Sequence, residues 1–425
     1  MAFICSIRCI IILKDLEERW YKMTEPYRIH RIKENWGVIL AIVFIASTLR
    51  APLTSVGPVV DEIKHVMEIN NSVAGILTTI PLIIFAIVSP LVSRVTSRIT
   101  MSRTILYSTI LLIIGLYLRV AGDFSLFIIG TLVLGIAIAF GNVVLPSYVK
   151  WYFPMQIGIA TGIYSGTMNF TAGLGGGLSF PLSQTPLGFR LSLSFWIILG
   201  IIAIILWIPK ARKGAKLEKQ TIDETQVKHH KKVNIVKSKL AWMVALTMGF
   251  QSMVFYTVVA WVPSILVDRG VDPSTAGYLL MLNQFSQVPM TFSFPIIASK
   301  LKDQRILVVI ITILFLTGFG LFFTQSLVLL VIGMVIAGLA MGACFSLCMT
   351  FFSIRARTSD GSISLSGFGQ SVGYLIAAIG PFLIGYLHDY TGNWLSGIIA
   401  LLFMSLLFFI FGYPAAKNRV VEDES

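Results

Sequence analysis

Twelve long stretches of this 425-residue chain are apolar and nearly free of charge. A helix of about 20 such residues crosses the ~30 Å hydrocarbon core of a bilayer. In oil each backbone N–H and C=O must be bonded internally, so only helices and closed barrels span. Barrel strands would read as short alternating segments, and that alternation is absent. The stretches are 36–60, 72–92, 104–121, 125–148, 158–180, 190–208, 240–266, 275–298, 306–324, 327–352, 362–387 and 393–413. The fold class expected is an all-α membrane protein with twelve transmembrane helices. Composition agrees. Charged residues make up 12% of the chain and mean hydropathy is +0.83, whereas soluble domains carry about 25% charged residues.

Connections are short except at 209–239, which is polar and rich in Lys and reads as a solvated linker. The expected organisation is therefore an N-terminal segment 1–35, a six-helix bundle 36–208, a basic linker 209–239, a second six-helix bundle 240–413 and a tail 414–425. An even number of spans puts both ends on one side. Of the 33 Lys and Arg, 28 lie on that side, Arg50 lies within span 1, and Lys64, Arg119, Arg190 and Arg269 lie opposite. This asymmetry places both termini in the cytoplasm. The net charge of +13 is then a topology signal that also attracts anionic lipid headgroups. The basic residues are too dispersed for nucleic acid to be an expected partner.

The start, MAFICSIRCIIIL, is too short to span and lacks a small-residue cleavage site, so it does not read as a cleaved signal peptide. Met23 is a second candidate start. The cysteines form two i,i+4 pairs, Cys5/Cys9 and Cys344/Cys348, without metal-site spacing and with poor disulfide geometry. No metal or other cofactor is expected, and no GxxxxGK[ST] nucleotide loop occurs in the chain.

The halves repeat weakly. Span 1 ends at Pro58 and a charged loop reaches Gly75. Span 7 ends at Pro263 and a charged loop reaches Gly277. Each following span opens with an Ala-Gly pair. With the six-linker-six layout, the chain resembles the major facilitator superfamily. The resemblance implies two pseudo-symmetric six-helix bundles, alternating access around a midplane site, and cavity-lining roles for spans 1, 4, 7 and 10.

Arg50 is the candidate that carries the chemistry. It lies about 21 Å along span 1 from Trp36 at 1.5 Å per residue, at a depth no other Lys, Arg, Asp or Glu reaches. A charge there costs about 3 kcal/mol on insertion scales and marks a pathway. The bland alternative is a side chain that snorkels outward or satisfies kinked carbonyls. Its forked donors suit planar oxyanions. Pro52, followed by Thr54, Ser55, Gly57 and Pro58, predicts a broken or kinked span 1. Pro52, Pro58 and Pro263 are the candidate helix breaks or gates.

The Asp and Glu fall in loops or at span ends, Asp61 and Glu62 among them. His65 and His388 sit at external ends, and His30, His229 and His230 are cytoplasmic. A side-chain proton relay is therefore not expected, which leaves facilitated diffusion, exchange or coupling through the solute's own protonation. Polar groups inside spans supply the remaining binding candidates. These are Asn142 in span 4, Gln251 and Tyr256 in span 7, and Gln370 in span 11, each of which could equally be interhelical glue. Asn283, Gln284 and Gln287 in span 8 and Tyr374 in span 11 divide the same way, and span 5 also carries Tyr164 and Asn169. Trp261 reads as an aromatic-belt residue and Lys150 as an interfacial anchor.

Three stretches sharpen the resemblance: TLRAPLTSVGPVV (48–60), GNVVLPSYVKWYFP (141–154) and GFQSMVFYTVVAWVPSILVDRG (249–270). Together they resemble the cyanate and 2-nitroimidazole transporter branch of the superfamily. The loop after span 2 departs from the wider pattern. It reads SPLVSRVTSRITMSR (89–103), with Ser93 where an acid is usual, which puts the loop's charge-relay latch in doubt. The expected function is secondary transport of a small anionic or nitro-type solute across the cell membrane by a monomer, with Arg50 binding the negative end. Multidrug efflux within the same superfamily is the alternative. A membrane-embedded sensor or enzyme is a remote one, since the spans hold no paired carboxylates or His/Cys set with catalytic spacing.

Overall fold

The computed structural model describes residues 32–69, 71–225 and 234–424. The Cys5/Cys9 pair, Met23, His30, His229 and His230 lie outside them. Twelve long helices follow one another. Helix α1 spans Trp36–Val59, α2 starts as Asn71–Val88 and continues to Ile99, and α3 is Met101–Leu118. They are followed by α4 (Phe124–Tyr152), α5 (Ile157–Ser183) and α6 (Ile197–Thr225), the last preceded by the short helix Phe189–Ser194. The second half holds α7 (Lys239–Asp268), α8 (Pro273–Lys300) and α9 (Arg305–Gly320). It closes with α10 (Leu327–Ile354), α11 (Ser359–Thr391) and α12 (Leu395–Ala415).

Ten of these helices are apolar enough to cross a membrane on composition alone. The other two, α5 and α8, are long enough but carry Asn169, Asn283, Gln284 and Gln287 among several Gly, Ser and Thr. They pack against each other between the halves, so their polar groups need not face lipid. The helix ends follow local chemistry. Asp123, Ser238 and Thr358 accept from the backbone N–H three residues on and cap α4, α7 and α11. Gly392, at φ +71°, ends α11 in a left-handed turn that glycine adopts without cost.

The halves repeat one packing scheme. Pairings α1·α5, α1·α6, α2·α4, α3·α4 and α3·α6 recur as α7·α11, α7·α12, α8·α10, α9·α10 and α9·α12. The glycines that allow the closest crossing recur as well. A Cβ on Gly115 would lie 2.7 Å from Leu134 N, and one on Gly130 2.6 Å from Arg119 N. Gly318 and Gly333, each the same number of positions further on, stand equally close to Ala337 N and Gly318 O. Small residues let helix backbones approach where lipid supplies no hydrophobic drive.

Several expectations are corrected. Residues 209–225, read as linker, continue α6, because the Glu218 carboxylate reaches the start of α3. Pro263, expected to break its span, sits inside an uninterrupted α7. It removes a single N–H, and the helix of 30 residues runs through it. Trp261 ties α7 to α11, since its Nε1 donates to Pro381 O at 2.7 Å.

The two halves are bonded along one end of their seam, the end that carries the described chain ends. Lys150 Nζ donates to Ser353 O at 2.8 Å, and Ser353 Oγ to Pro146 O at 3.2 Å. Ser147 Oγ meets Ser362 Oγ at 3.2 Å, and Ser371 Oγ donates to Ala86 O at 2.6 Å. A Cβ on Gly158 would lie 2.5 Å from Pro295 O, and one on Gly162 2.5 Å from Phe292 O. Beyond the level of Arg50, no hydrogen bond crosses between the halves among the described residues. The seam is thus shut at the terminal side and unbonded at the other.

Candidate functional site

Helix α1 is broken where the sequence places Pro52. It runs Trp36–Thr48, Ala51–Thr54 and then a 3-10 turn Gly57–Val59. Arg50 stands at the first break, with non-helical backbone at φ −124°, ψ −39°. The break exposes carbonyls that need donors. One of them, Pro52 O, accepts from Arg119 Nη1 at 3.0 Å. From the sequence Arg119 counts only as a cation on the side opposite the termini. The structure buries it to 3% exposure, against the ring of Phe127. It is a structural cation whose role is to close the break.

Arg50 turns inward. Its Nη1 donates to Asn169 Oδ1 on α5. Its Cζ lies 3.9 Å from the ring centre of Phe345 on α10 and 4.8 Å from that of Phe255 on α7. Tyr256 and Tyr374 are near enough to interact with it electrostatically. Five helices from both halves therefore meet around one guanidinium. Ring faces attract a cation but accept no conventional hydrogen bond, and a guanidinium has five N–H donors. Among the described residues one donor is used, and no acid pairs with Arg50.

The remaining expected residues divide. Gln370 Nε2 donates to Asn142 O at 3.1 Å and to Ser366 Oγ at 2.9 Å, so Asn142 and Gln370 meet across the halves. Both are buried, and Asn142 Oδ1 and Gln370 Oε1 have no hydrogen-bond partner. Gln251 instead bonds along its own helix, to Ser252 Oγ at 2.7 Å and Met248 Sδ at 3.5 Å. Pro58 opens the 3-10 turn that closes α1. Cys344 and Cys348 are free and buried in α10. Lys150, read as an interfacial anchor, bonds instead to carbonyls of the opposite half. Ser93 donates to Pro90 O within its own helix. An apolar cleft of about 510 Å³ between α1, α5 and α8 is lined by Val43, Phe44, Phe170, Leu174 and Phe292. None of the partners of Arg50 lines it.

Asn169, Phe255 and Phe345 join the site beyond the residues expected from the sequence. A signal for Asn169 existed. A cation in oil without an acid needs an amide acceptor, and few amides share its depth. Phe345 gave no signal, because phenylalanine is ordinary in a membrane helix. On the terminal side, buried Arg355 fixes helix ends by donating to Ala415 O and Ala416 O at 2.9 and 2.7 Å. Burial pushes its pKa down to about 10, so it stays charged at neutral pH.

Comparison with known proteins agrees with this architecture. The sequence profile of the Major Facilitator Superfamily matches residues 37–378. The chain is 37% identical to an uncharacterised transporter of Bacillus subtilis (strain 168), over 94% of this chain and 98% of that protein. It is 33% identical to the 2-nitroimidazole transporter of Escherichia coli (strain K12), over 90% and 96% of the two chains. It is 25% identical to the cyanate transport protein of the same strain, over 84% and 91%. Among solved structures it is similar to the proton:xylose symporter XylE, with a TM-score of 0.72 over 92% and 98% of the chains. At 13% identity that likeness bears on the fold alone. The chain belongs to the Major Facilitator Superfamily: it is a multi-pass membrane transporter of small solutes built on twelve helices, and not an enzyme.

Proposed function

We propose that this transporter carries a small anionic or nitro-type solute across the cell membrane, with Arg50 as the group that receives its negative end. The observation that carries this reading is the guanidinium itself. It sits between the halves, is held by two phenyl rings and one neutral amide, and retains unpaired donors. A planar oxyanion or nitro group supplies the acceptors it lacks. The names of two relatives, a 2-nitroimidazole transporter and a cyanate transport protein, point to solutes of this chemistry. Tyr256, Asn142, Gln251 and Gln370 are proposed to complete the cavity wall. Pro52 and Pro58 are proposed to let α1 flex.

The two six-helix halves rock about the site with both ends in the cytoplasm, a sidedness supported by the 28 basic residues counted to the terminal side. The bonded end of the seam then faces the cytoplasm and the site faces outward. Uptake of labelled cyanate and 2-nitroimidazole into proteoliposomes, measured for wild type and Arg50→Gln at equal incorporation, tests the reading. Arg50→Gln is expected to transport neither. Unchanged transport rejects Arg50 as the binding group. Transport of cationic dyes in preference to both solutes would favour multidrug efflux instead.

A further inference from the structure

The amide that meets Arg50 is also held from its other end. Asn169 Nδ2 donates to Thr291 Oγ1 at 2.7 Å, and Thr291 Oγ1 donates to Gln287 O at 2.8 Å. A hydroxyl has a single proton. Here it goes to Gln287, so Thr291 presents a lone pair to Asn169. The amide therefore has one satisfactory orientation, with Nδ2 toward α8 and Oδ1 toward Arg50. A flipped amide would set its NH₂ against a guanidinium. Asn169 is 2% exposed, so it has no room to find water instead. The chain of bonds runs from Arg50 on α1 through Asn169 on α5 to Thr291 on α8 and so crosses the seam. Among the described residues, no other hydrogen bond across the seam involves the residue that accepts from Arg50.

We infer that Asn169 is a positioning residue that stands in for the solute in the empty carrier and reports its arrival to the seam. This rests on the reading of Arg50 given above. A neutral amide oxygen holds the guanidinium in place until an oxyanion arrives. An oxyanion adds Coulomb attraction that a neutral amide lacks and can take two guanidinium donors at once, so the solute displaces the amide from Arg50. Asn169 then loses the partner that fixed Oδ1, and its bond to Thr291 keeps one anchor of two. Occupancy of Arg50 thereby loosens the link between α5 and α8, which the halves must slide past to exchange access. An acid at position 169 would do the reverse and pair with Arg50 permanently.

The full chain is reconstituted with Cys5, Cys9, Cys344 and Cys348 replaced by serine and with Ser147→Cys as a reporter in the closed terminal seam. Cyanate is the probe. Asn169→Asp is expected to lose at least 100-fold in cyanate affinity. Asn169→Ala is expected to keep or lower KM, because the competitor for Arg50 is gone, while labelling at position 147 no longer responds to cyanate. Thr291→Val is expected to keep KM within threefold and to lose the same response. A role in packing alone would not split KM from the cyanate response. Wild-type affinity in Asn169→Asp, with Arg50→Gln inactive, overturns the inference and leaves the Arg50 reading intact. Wild-type affinity in both variants overturns the Arg50 reading itself. A tenfold rise in KM for Asn169→Ala would mean that the amide contacts the solute directly, and would also overturn the stand-in role.

Discussion

Replacing Lys150 by methionine is expected to open the terminal side. Lys150 Nζ donates to Ser353 O at 2.8 Å and also to Ala356 O. Ser353 O lies in the last turn of α10 and Ala356 O just past it, where a helix leaves its last carbonyls unpaired and its dipole favours a cation. Lys150 belongs to the first half and α10 to the second, so these bonds exist only while the halves are together here. A hydrogen bond from a charged donor contributes about 1.5–3 kcal/mol. Lys150 is half-buried, and in the open state water replaces its partners, so the net for the pair is about 2 kcal/mol. At 1.4 kcal/mol per factor of ten, that is a shift of about 30-fold in the ratio of open to closed carrier. Methionine keeps much of the stem's volume, which limits the change to the ammonium. The assay is maleimide labelling of the thiol in Ser147→Cys, a position buried at the same seam, in the background described above. Labelling about 30-fold faster in Lys150→Met than in Lys150 is the expected result. A change below threefold would refute the latch and return Lys150 to the role of a membrane anchor.

Two further substitutions test structural roles with no direct part in binding. Arg119→Met leaves Pro52 O with the longer Ser55 Oγ donor at 3.3 Å in place of the guanidinium, a loss of about 1–2 kcal/mol. It should lower Tm in detergent by several degrees with cyanate KM unchanged. Glu218→Gln weakens the carboxylate that accepts from Met101 N at 2.6 Å and Ser102 N at 2.9 Å at the head of α3. The expected cost is about 1–2 kcal/mol, seen as a lower Tm, again without a change in KM.

Much of the fold was legible because hydropathy, the signal read, is the same physics that selects helices in oil. The break of α1 was legible for a similar reason, since Pro52 removes a donor whatever the neighbours do. The extent of α6 was missed because helix hydrogen bonding does not stop where hydrophobicity does. Ala211, Ala215 and Glu218 are spaced i, i+4, i+7 and all face inward, a periodicity visible in the sequence beneath the Lys count. The bonds of Lys150 and Arg119 were not legible in the sequence for one shared reason. Their partners are main-chain carbonyls distant in the chain, and a carbonyl has no letter in a sequence. Asn169 was noticed as polar but not joined to Arg50, because the i,i+4 reasoning that groups residues on one helix is silent about which helices meet.

The energetics around Arg50 explain why a neutral surrounding is the informative one. Placing Arg at the centre of a span costs about 2.5–3.5 kcal/mol on insertion scales. Two aromatic faces return about 0.5–2 kcal/mol each, and one charge-assisted bond to Asn169 about 1.5–3 kcal/mol. These are comparable, so the cation is tolerated in the empty protein while its charge is left uncancelled. An aspartate in place of Asn169 would pair with Arg50 and leave a solute little to gain. The rings hold the guanidinium by attraction to its charge and consume none of its donors, so orientation is fixed while binding capacity is kept. A pocket of this kind favours a ligand with a full or partial negative charge over a cation of the same size. It favours a ligand whose oxygens lie in one plane over a compact one, because the donors of a guanidinium themselves lie in a plane. The selectivity proposed for this carrier thus follows from what surrounds Arg50 as much as from Arg50.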